Sequence, residues 1–482
     1  MARLIEETPR HNYASIPGSA APEEVEVSYR DEFRQIGKNA LPLIVTFALQ
    51  TSLSFVTVAF VGRLGALELG GVSLANVTFT ATSAVFQGLA TCLDTLCPQA
   101  FGAKQYQLVG LYFQRGLAIS LVFACPIALL WWYSELMLGA MVDDQRLVKI
   151  AARYLRVMVT SIPGYVTFEC GKKYLQAQND FTTAQYILFV CAPLNVLLNY
   201  LFVFRFGLGF VGAPMATSLT FTLMGASLAT FIWCKTYRDG TTSCWSPLKN
   251  WKPIFANWGT MVSLAIPGII MIEAEFLAFE SLTVLSAKFG TESLAAQSVI
   301  ASIQSLTFQA PFSAGVAASN RIAYHIGKSR VRACQVASRA TLIYIGFLIG
   351  TANLLFLVLG RTIIPSVFSN DEGVIKIASQ VLPIIGINQV CDVLNVLSAG
   401  ILRAQGRQKI GGVLNIIAYY LVGLPMAIFL GFRCKWALQG FWVGLGCGIL
   451  FLGLSELYCV WKSDWAKIIR NSRRLHKDSP AV

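Results

Sequence analysis

PIFANWGTMVSLAIPGIIMIEAEFLAFESLTVLSA (Pro253–Ala287) decides how this chain is read. Its first twenty residues, Pro253–Ile272, carry no charge; carboxylates follow at Glu273, Glu275 and Glu280, and apolar character resumes over Ser281–Ala287. About 20 apolar residues are what a helix needs to cross a bilayer. Such a helix satisfies its own backbone but cannot solvate a carboxylate without water, a partner or a proton. An ionised acid at the bilayer centre costs roughly 2.5–3.5 kcal/mol on insertion scales, so acids there are usually functional. The stretch reads as a membrane-spanning helix that carries a proton or cation site.

Uncharged runs recur along the rest of the chain: Leu41–Gly62, Gly70–Leu93, Gly116–Ser134, Phe181–Phe204, Phe206–Cys234, Ser293–Asn320, Ala340–Gly360, Ile410–Phe432 and Trp436–Ser455. Spans near 147–174, 257–286 and 377–402 contain acids, which brings the expected total to twelve. Only 13% of residues are charged and 55% are hydrophobic, against about 25% charged in soluble domains. A large soluble helical protein would need polar faces that these runs lack. The fold expected is an all-α membrane protein.

Lysine and arginine concentrate in alternate connections: Lys172 and Lys173; Lys235, Arg238, Lys249 and Lys252; Arg321, Lys328, Arg330, Arg332 and Arg339; Arg403, Arg407 and Lys409. By the positive-inside rule these face the cytosol, and an even helix count puts both termini there. The net charge of +13 then reflects orientation and contact with anionic lipid, with no nucleic acid implied. Residues 1–35 read as a disordered cytosolic tail with an acidic patch at Glu23, Glu24 and Glu26, and 462–482 as a basic cytosolic tail. The twelve cysteines are scattered with no CxxC pattern and read as small buried hydrophobes. His11, His325 and His476 fall in tails or a loop, so an intramembrane histidine relay is not expected, nor is a metal site or a cofactor.

The chain is written twice. Pro42 pairs with Pro267, Gly65 with Gly290, Leu69 with Leu294, Ser73 with Ser298 and Gly102 with Gly327, each 225 residues apart; YLQAQ (Tyr174–Gln178) matches ILRAQ (Ile401–Gln405) 227 apart. Six helices repeated as six give two pseudo-symmetric bundles, 36–234 and 253–461, of the same topology, joined by a cytosolic linker at 235–252. Parallel repeats of this kind place substrate between or within the bundles, and rocking of the halves alternates access. Gln50 stands opposite Glu275, Phe55 opposite Glu280 and Tyr165 opposite Asp392, so the acids belong to the C-terminal bundle alone.

LPLIVTFALQTSLSFVTVAFVGRLGALELGGVSLA (Leu41–Ala75), GLATCLDTLCPQAFGA (Gly88–Ala103), FLAFE after Glu275, LAAQSVI (Leu294–Ile300) and AGILRAQGRQKIGG (Ala399–Gly412) together resemble the multidrug and toxic compound extrusion (MATE) family, its eukaryotic branch above all. The resemblance runs from about residue 35 to 465. It implies an antiporter that exports organic cations, drugs or metabolites in exchange for protons, or less often sodium. By position, Glu275 resembles the family's essential acid of the seventh helix, Glu280 the second acid five residues on, Asp392 the acid of the tenth helix, and Gln50 a first-helix residue that contacts substrate. The chain departs from the pattern where Phe276-Leu277 replaces a Trp-Trp pair, where Ala301 replaces an aromatic residue of the eighth helix, and in the acid at Glu273. Phe276, Phe279 and Phe308 remain to receive a cation on their ring faces, more weakly than Trp would.

At about 100° per residue, Glu273 and Glu280 share a helix face and Glu275 does not, so either the helix bends or one acid meets a different environment. The proton- and substrate-binding candidates are Glu275, Asp392, Glu280, Gln50 and Glu273; Phe276, Phe279, Phe308, Asn195, Asn199 and Tyr165 are candidates to line the cavity. Asn195 and Asn199 share a face and equally suit a helix–helix hydrogen bond. Glu169 with Lys172 and Lys173 has the spacing of ion pairs on a helix surface, and Asp94 reads as a structural contact near a helix end. No nucleotide-binding GxxxxGK[ST] motif is present. A lipid or glycolipid flippase of the same broad superfamily would call for cavity cations, and an intramembrane enzyme for a nucleophile–base pair; a narrow-specificity metabolite exporter stays open. A monomer in the plasma membrane or a vacuolar or other organellar membrane suffices for this design.

Overall fold

The computed structural model describes residues 27–239, 244–245, 252–369 and 371–477. The acidic patch, His11 and most of the linker at 235–252 lie outside them. The described residues are helical throughout, with no strand.

The helices are α1 (Tyr29–Val61), α2 (Ala66–Gly102), α3 (Tyr106–Trp132), α4 (Gln145–Met158, continued after one 3-10 turn as Ile162–Ala177), α5 (Thr183–Arg205) and α6 (Gly212–Asp239) in the first half. The second half holds α7 (Trp258–Ser286), α8 (Thr291–Gly327), α9 (Val331–Leu359), α10 (Glu372–Ala404), α11 (Gln408–Arg433) and α12 (Ala437–Trp461). Ten of these twelve are long and apolar enough to cross a membrane by length and composition. The other two are α4, broken into short pieces at Val159–Ser161, and α8, whose Gln297, Gln304 and Gln309 dilute its hydropathy. α1 starts at Tyr29 rather than at residue 36 because the Ser28 side chain accepts from the Arg30 N–H and caps it. Charge at a helix end does not stop a helix, so Lys172 and Lys173 lie in α4, Arg321 in α8 and Arg403 in α10, rather than in connections.

The internal repeat is visible in the backbone. Left-handed residues recur in pairs at the spacing of the repeat: Gly65 and Gly290, Lys104 and Ser329 (225 apart), Asn179 and Gly406 (227 apart), Gly207 and Lys435, Gly209 and Ala437 (228 apart). Both α5 and α11 end in a π-helical turn, Leu201–Arg205 and Phe429–Arg433. The packing repeats as well: α1 lies on α5 as α7 lies on α11, α4 on α6 as α10 on α12, and α2 on α4 as α8 on α10.

The halves meet through α1, α2, α7 and α8, with α1 against α8, its equivalent α7 against α2, and α2 crossing α8 near the pseudo-twofold axis. At that crossing an added Cβ on Gly102 would strike the Tyr324 carbonyl, and one on Gly327 the Gln99 carbonyl. Only glycine lets the two helices close there, which is why the repeat keeps it at both places. We call the face where α1 begins and α12 ends proximal, and the other distal. The hydrogen bonds joining the halves cluster at the proximal face. Glu32 of α1 takes a two-pronged bond from Arg321 of α8 (2.9 and 2.7 Å) and lies 3.1 Å from His325 Nε2. Thr95 Oγ1 donates to the Arg403 carbonyl (2.6 Å) and Gln99 Nε2 to the Ala404 carbonyl (2.8 Å). His325 is thus a buried residue of α8, not a loop residue.

The basic tail contains a further helix, α13 (Trp465–Lys477). Trp465, Ile468 and Ile469, spaced for one face, are buried against Ile322, Ile326, Cys334 and Ala337, while Lys467, Arg470 and Arg474 point outward. Ser472 Oγ donates to Gln99 Oε1 of α2 (2.7 Å) and Arg473 to Ser329 Oγ (2.9 Å), so α13 straps the halves together. His476 near its end is buried, with Nδ1 2.7 Å from the Ser472 carbonyl, and burial holds its imidazole below the usual histidine range. The docked ring therefore stays neutral, whereas an undocked one takes up a proton near pH 6.5. The undocked state binds more protons, so the strap is fully held above about pH 6.5 and loosens as pH falls below it. Hydrogen exchange of α13 amides should accelerate between about pH 6.5 and 5 relative to the intrinsic rate, and His476→Phe should flatten that dependence.

Candidate functional site

α7 runs unbroken from Trp258 to Ser286, with Pro267 inside it. With no unwound turn, its three acids cannot share one environment. Glu275 faces the interior of the second half, where Asp392 of α10, Glu456 of α12 and Arg403 of α10 are the charged groups that bear on it. Glu273 lies toward Tyr420 of α11, whose hydroxyl is within reach of the Ala274 carbonyl (3.4 Å). Glu280, one turn and more toward the distal end, is half-buried and stands outside the Glu275 cluster.

A widened turn at Ile417–Gly423 of α11 presents Tyr419 and Tyr420 in this region. Such π-helical insertions rotate the side chains that follow them and recur at functional sites. Tyr419 is fully buried, with Glu275, Asp392 and Glu456 all acting on its hydroxyl. Asp392 is 1% exposed; Asn395 donates to its Oδ1 at 3.4 Å, and Oδ2 has no partner. Both carboxylate oxygens of Glu456, the Tyr419 hydroxyl and Arg403 Nε are likewise buried without a partner. Buried polar groups are nearly always satisfied, so a group of orphans marks a place meant for a proton, an ion or water. Three acids face one guanidinium, a local excess of two negative charges when all are ionised.

The structure therefore brings Glu275 and Asp392 together and adds Glu456, which the apolar run Trp436–Ser455 stops one residue short of. Its place five residues from the end of α12 resembles that of an ordinary end charge. Only the packing shows it turned inward. Among the described residues no three His, Cys, Asp or Glu side chains converge to hold a metal ion.

The first half carries a different arrangement at the equivalent depth. Gln50 of α1 donates to Glu169 Oε1 (2.7 Å) and accepts from Lys172 Nζ (3.0 Å), which also bonds Glu169 (2.8 Å). Lys173 pairs with Asp94 of α2 at 2.9 Å. These side chains, Gln50 apart, are less than 10% exposed, which corrects the reading of a helix-surface ion pair: the spacing gave the partner, but the face turns inward. Lys172 Nζ also sits 5.2 Å from the rings of both Phe47 and Phe168. Phe47 meets Phe312 of α8 edge-on at 5.1 Å, and Phe312 stacks on Phe308 at 5.6 Å, an aromatic bridge between the halves.

Phe276 and Phe308 are half-buried, and Phe279 packs on Trp442 of α12 at 5.8 Å. Tyr165 is 5% exposed in the first half's core, where its hydroxyl accepts from Gln87 (3.0 Å) and its ring meets Phe79, Phe86 and Phe221. Asn195 and Asn199 are fully buried; Asn195 donates to Thr220 of α6 (3.0 Å), a helix–helix hydrogen bond, and Asn199 donates to Asn195 within α5.

The MatE family model matches residues 42–201 and 267–429, one block in each half. An uncharacterised transporter of Saccharomyces cerevisiae is 41% identical over 92% of this chain, which spans 63% of that relative's length. Multidrug and toxin extrusion protein 2 of Mus musculus is 30% identical over 87% of this chain and 73% of its own length. Among solved structures, the eukaryotic MATE transporter AtDTX14 superposes with a TM-score of 0.86 at 27% identity, covering 92% of this chain and 99% of that one.

Proposed function

Since the chain belongs to the MatE family of multidrug and toxin extrusion transporters, we propose that it is a proton antiporter that exports organic cations or cationic metabolites by alternating access. The observation that carries this reading is the joining of Glu275 and Asp392 inside the second half, one negative charge more than Arg403 can balance. A buried uncompensated charge is expensive, so such a site holds either a cation or protons. Charge exchange follows: the ionised Glu275–Asp392 pair, with the ring faces of Phe276, Phe279 and Phe308 near the path, accepts an organic cation from the cytosol. Protons entering from the far side neutralise the carboxylates and release it. Reorientation and loss of those protons to the cytosol restore the anionic site. Glu273 and Glu280 extend the acidic approach along α7.

In this reading the proximal face, with its arginines and lysines, is cytosolic, and the closed proximal crossing of α2 and α8 belongs to the state that faces away from it. Gln50 acts through the Lys172–Glu169 pair, and the first half supplies a neutral wall. Lipid flipping is less well supported, because Lys172 and Lys173 are each tied to an acid and hold no free charge for a headgroup.

The test is uptake of ethidium by proteoliposomes under an imposed pH gradient or an imposed sodium gradient. Uptake against an acid interior, unchanged by sodium, is the expected result. Transport driven by sodium alone would replace the coupling ion, and no transport under either gradient would overturn organic-cation antiport.

A further inference from the structure

We propose that Glu456 is the proton exit of this transporter: it takes the proton from the Glu275–Asp392 pair and passes it to the proximal face beside Arg403. The proposal rests on the antiport reading above. Its ground is where the packing puts this carboxylate. One turn before it, α12 has Gly453, whose added Cβ would lie 3.1 Å from the Cys391 carbonyl and 3.3 Å from the Asn395 nitrogen of α10. α12 thus rests on the α10 backbone on either side of Asp392. Gly411 of α11 leaves the room that Glu456 fills: a Cβ there would be 3.3 Å from Glu456 Oε1 and 2.7 Å from the Met271 methyl, one turn proximal of Glu275 on α7. Two close helix contacts therefore wedge a fully buried acid (0% exposed) beneath the pair.

Its depth fits a relay. At 1.5 Å per residue, Glu275, Asp392 and Glu456 lie about 26, 18 and 8 Å from the proximal ends of α7, α10 and α12. Both oxygens of Glu456 are unpartnered, as are the Tyr419 hydroxyl and Asp392 Oδ2 above it and Gln408 Oε1 and Arg403 Nε near the proximal ends of their helices. The charged and titratable groups that bear on Glu456 are Glu275 on α7, Arg403 on α10 and Tyr419 on α11; Asp392 on α10 bears on the same Glu275 and Tyr419. In the transfer an O–H bond breaks at the Glu275 or Asp392 carboxyl and one forms at Glu456. The same proton then leaves to water at the proximal mouth, where the guanidinium favours the returning carboxylate. Substrate has no part in this step.

That separation supplies the test. Wild type, Glu456→Gln and Glu456→Asp are reconstituted, and two rates are read with ethidium: uptake driven by a pH gradient, and ethidium–ethidium exchange at equal pH, which needs no net proton movement. Glu456→Gln should keep exchange within about twofold of wild type and lose tenfold or more of gradient-driven uptake, and Glu456→Asp should recover part of the loss. Full gradient-driven uptake by Glu456→Gln overturns the relay alone. Equal loss of both rates in Glu456→Gln, with neither recovered by Glu456→Asp, assigns the residue to folding or substrate binding and also overturns it. A wild type with exchange but no pH-driven uptake overturns proton antiport, and the relay with it.

Discussion

Glu275→Gln is expected to reduce gradient-driven uptake to the level of empty liposomes while the protein stays folded. The amide keeps the volume and shape of the acid but can neither carry the negative charge that attracts a cation nor take up and release a proton. No other acid replaces it: Asp392 and Glu456 lie nearer the proximal face, and Glu273 faces Tyr420 instead. Folding is spared for an electrostatic reason. The cluster holds three acids against Arg403, so neutralising one of them relieves repulsion and leaves the guanidinium still paired with negative charge. Thermal unfolding in detergent should therefore move little, and exchange should fall together with gradient-driven uptake, unlike in Glu456→Gln. Normal ethidium efflux by Glu275→Gln would remove the carboxylate from the mechanism.

Arg321→Ala is expected to open the proximal face. Glu32 and Arg321 belong to different halves, so their contact exists only while that face is closed. Removing one partner of a buried ion pair costs about 3–5 kcal/mol, because the other charge is left without compensation. Here the stranded group is Glu32, 1% exposed, whereas the Arg321 side chain is 25% exposed and His325 remains beside the acid. The low end, about 3 kcal/mol, is the appropriate figure. At 1.4 kcal/mol per tenfold that is roughly a hundredfold shift toward the open arrangement. Spin labels at positions 104 and 330, in a background without native cysteines, should report a longer distance in the variant. An unchanged distance distribution would mean that the α2–α8 crossing closes the face unaided.

Both effects depend on features that the sequence discloses unevenly. The twelve spans are legible because a helix in water needs a polar face, and an uncharged run long enough to cross a bilayer leaves none. The repeat is legible because Gly65, Gly290, Gly102 and Gly327 occupy backbone positions that tolerate little else. Glu275 and Asp392 stand out as acids inside apolar runs. Other residues escape for a common reason. Local spacing says which side chains are neighbours on a helix, not what that face meets. Glu169 and Lys172 have ion-pair spacing whether they face water or a core, and His325 looks like a loop residue because the apolar run ends at Asn320 while α8 continues to Gly327. Glu456 is hidden by its nearness to a helix end, where charges commonly reach out to the interface. The proximal latch and the inward turn of α12 are properties of the assembled halves, so no single helix announces them.

The depth of Glu275 on α7 has an electrical consequence. A full crossing of the membrane by one elementary charge is worth about 2.3 kcal/mol at 100 mV. A proton carried between Glu275 and the proximal mouth traverses about half of that field, worth about 1 kcal/mol. If two protons return for each monovalent cation expelled, every turnover moves net charge. Voltage then joins acidity as a driving force, and a membrane without a pH difference can still power the exchange through its potential alone.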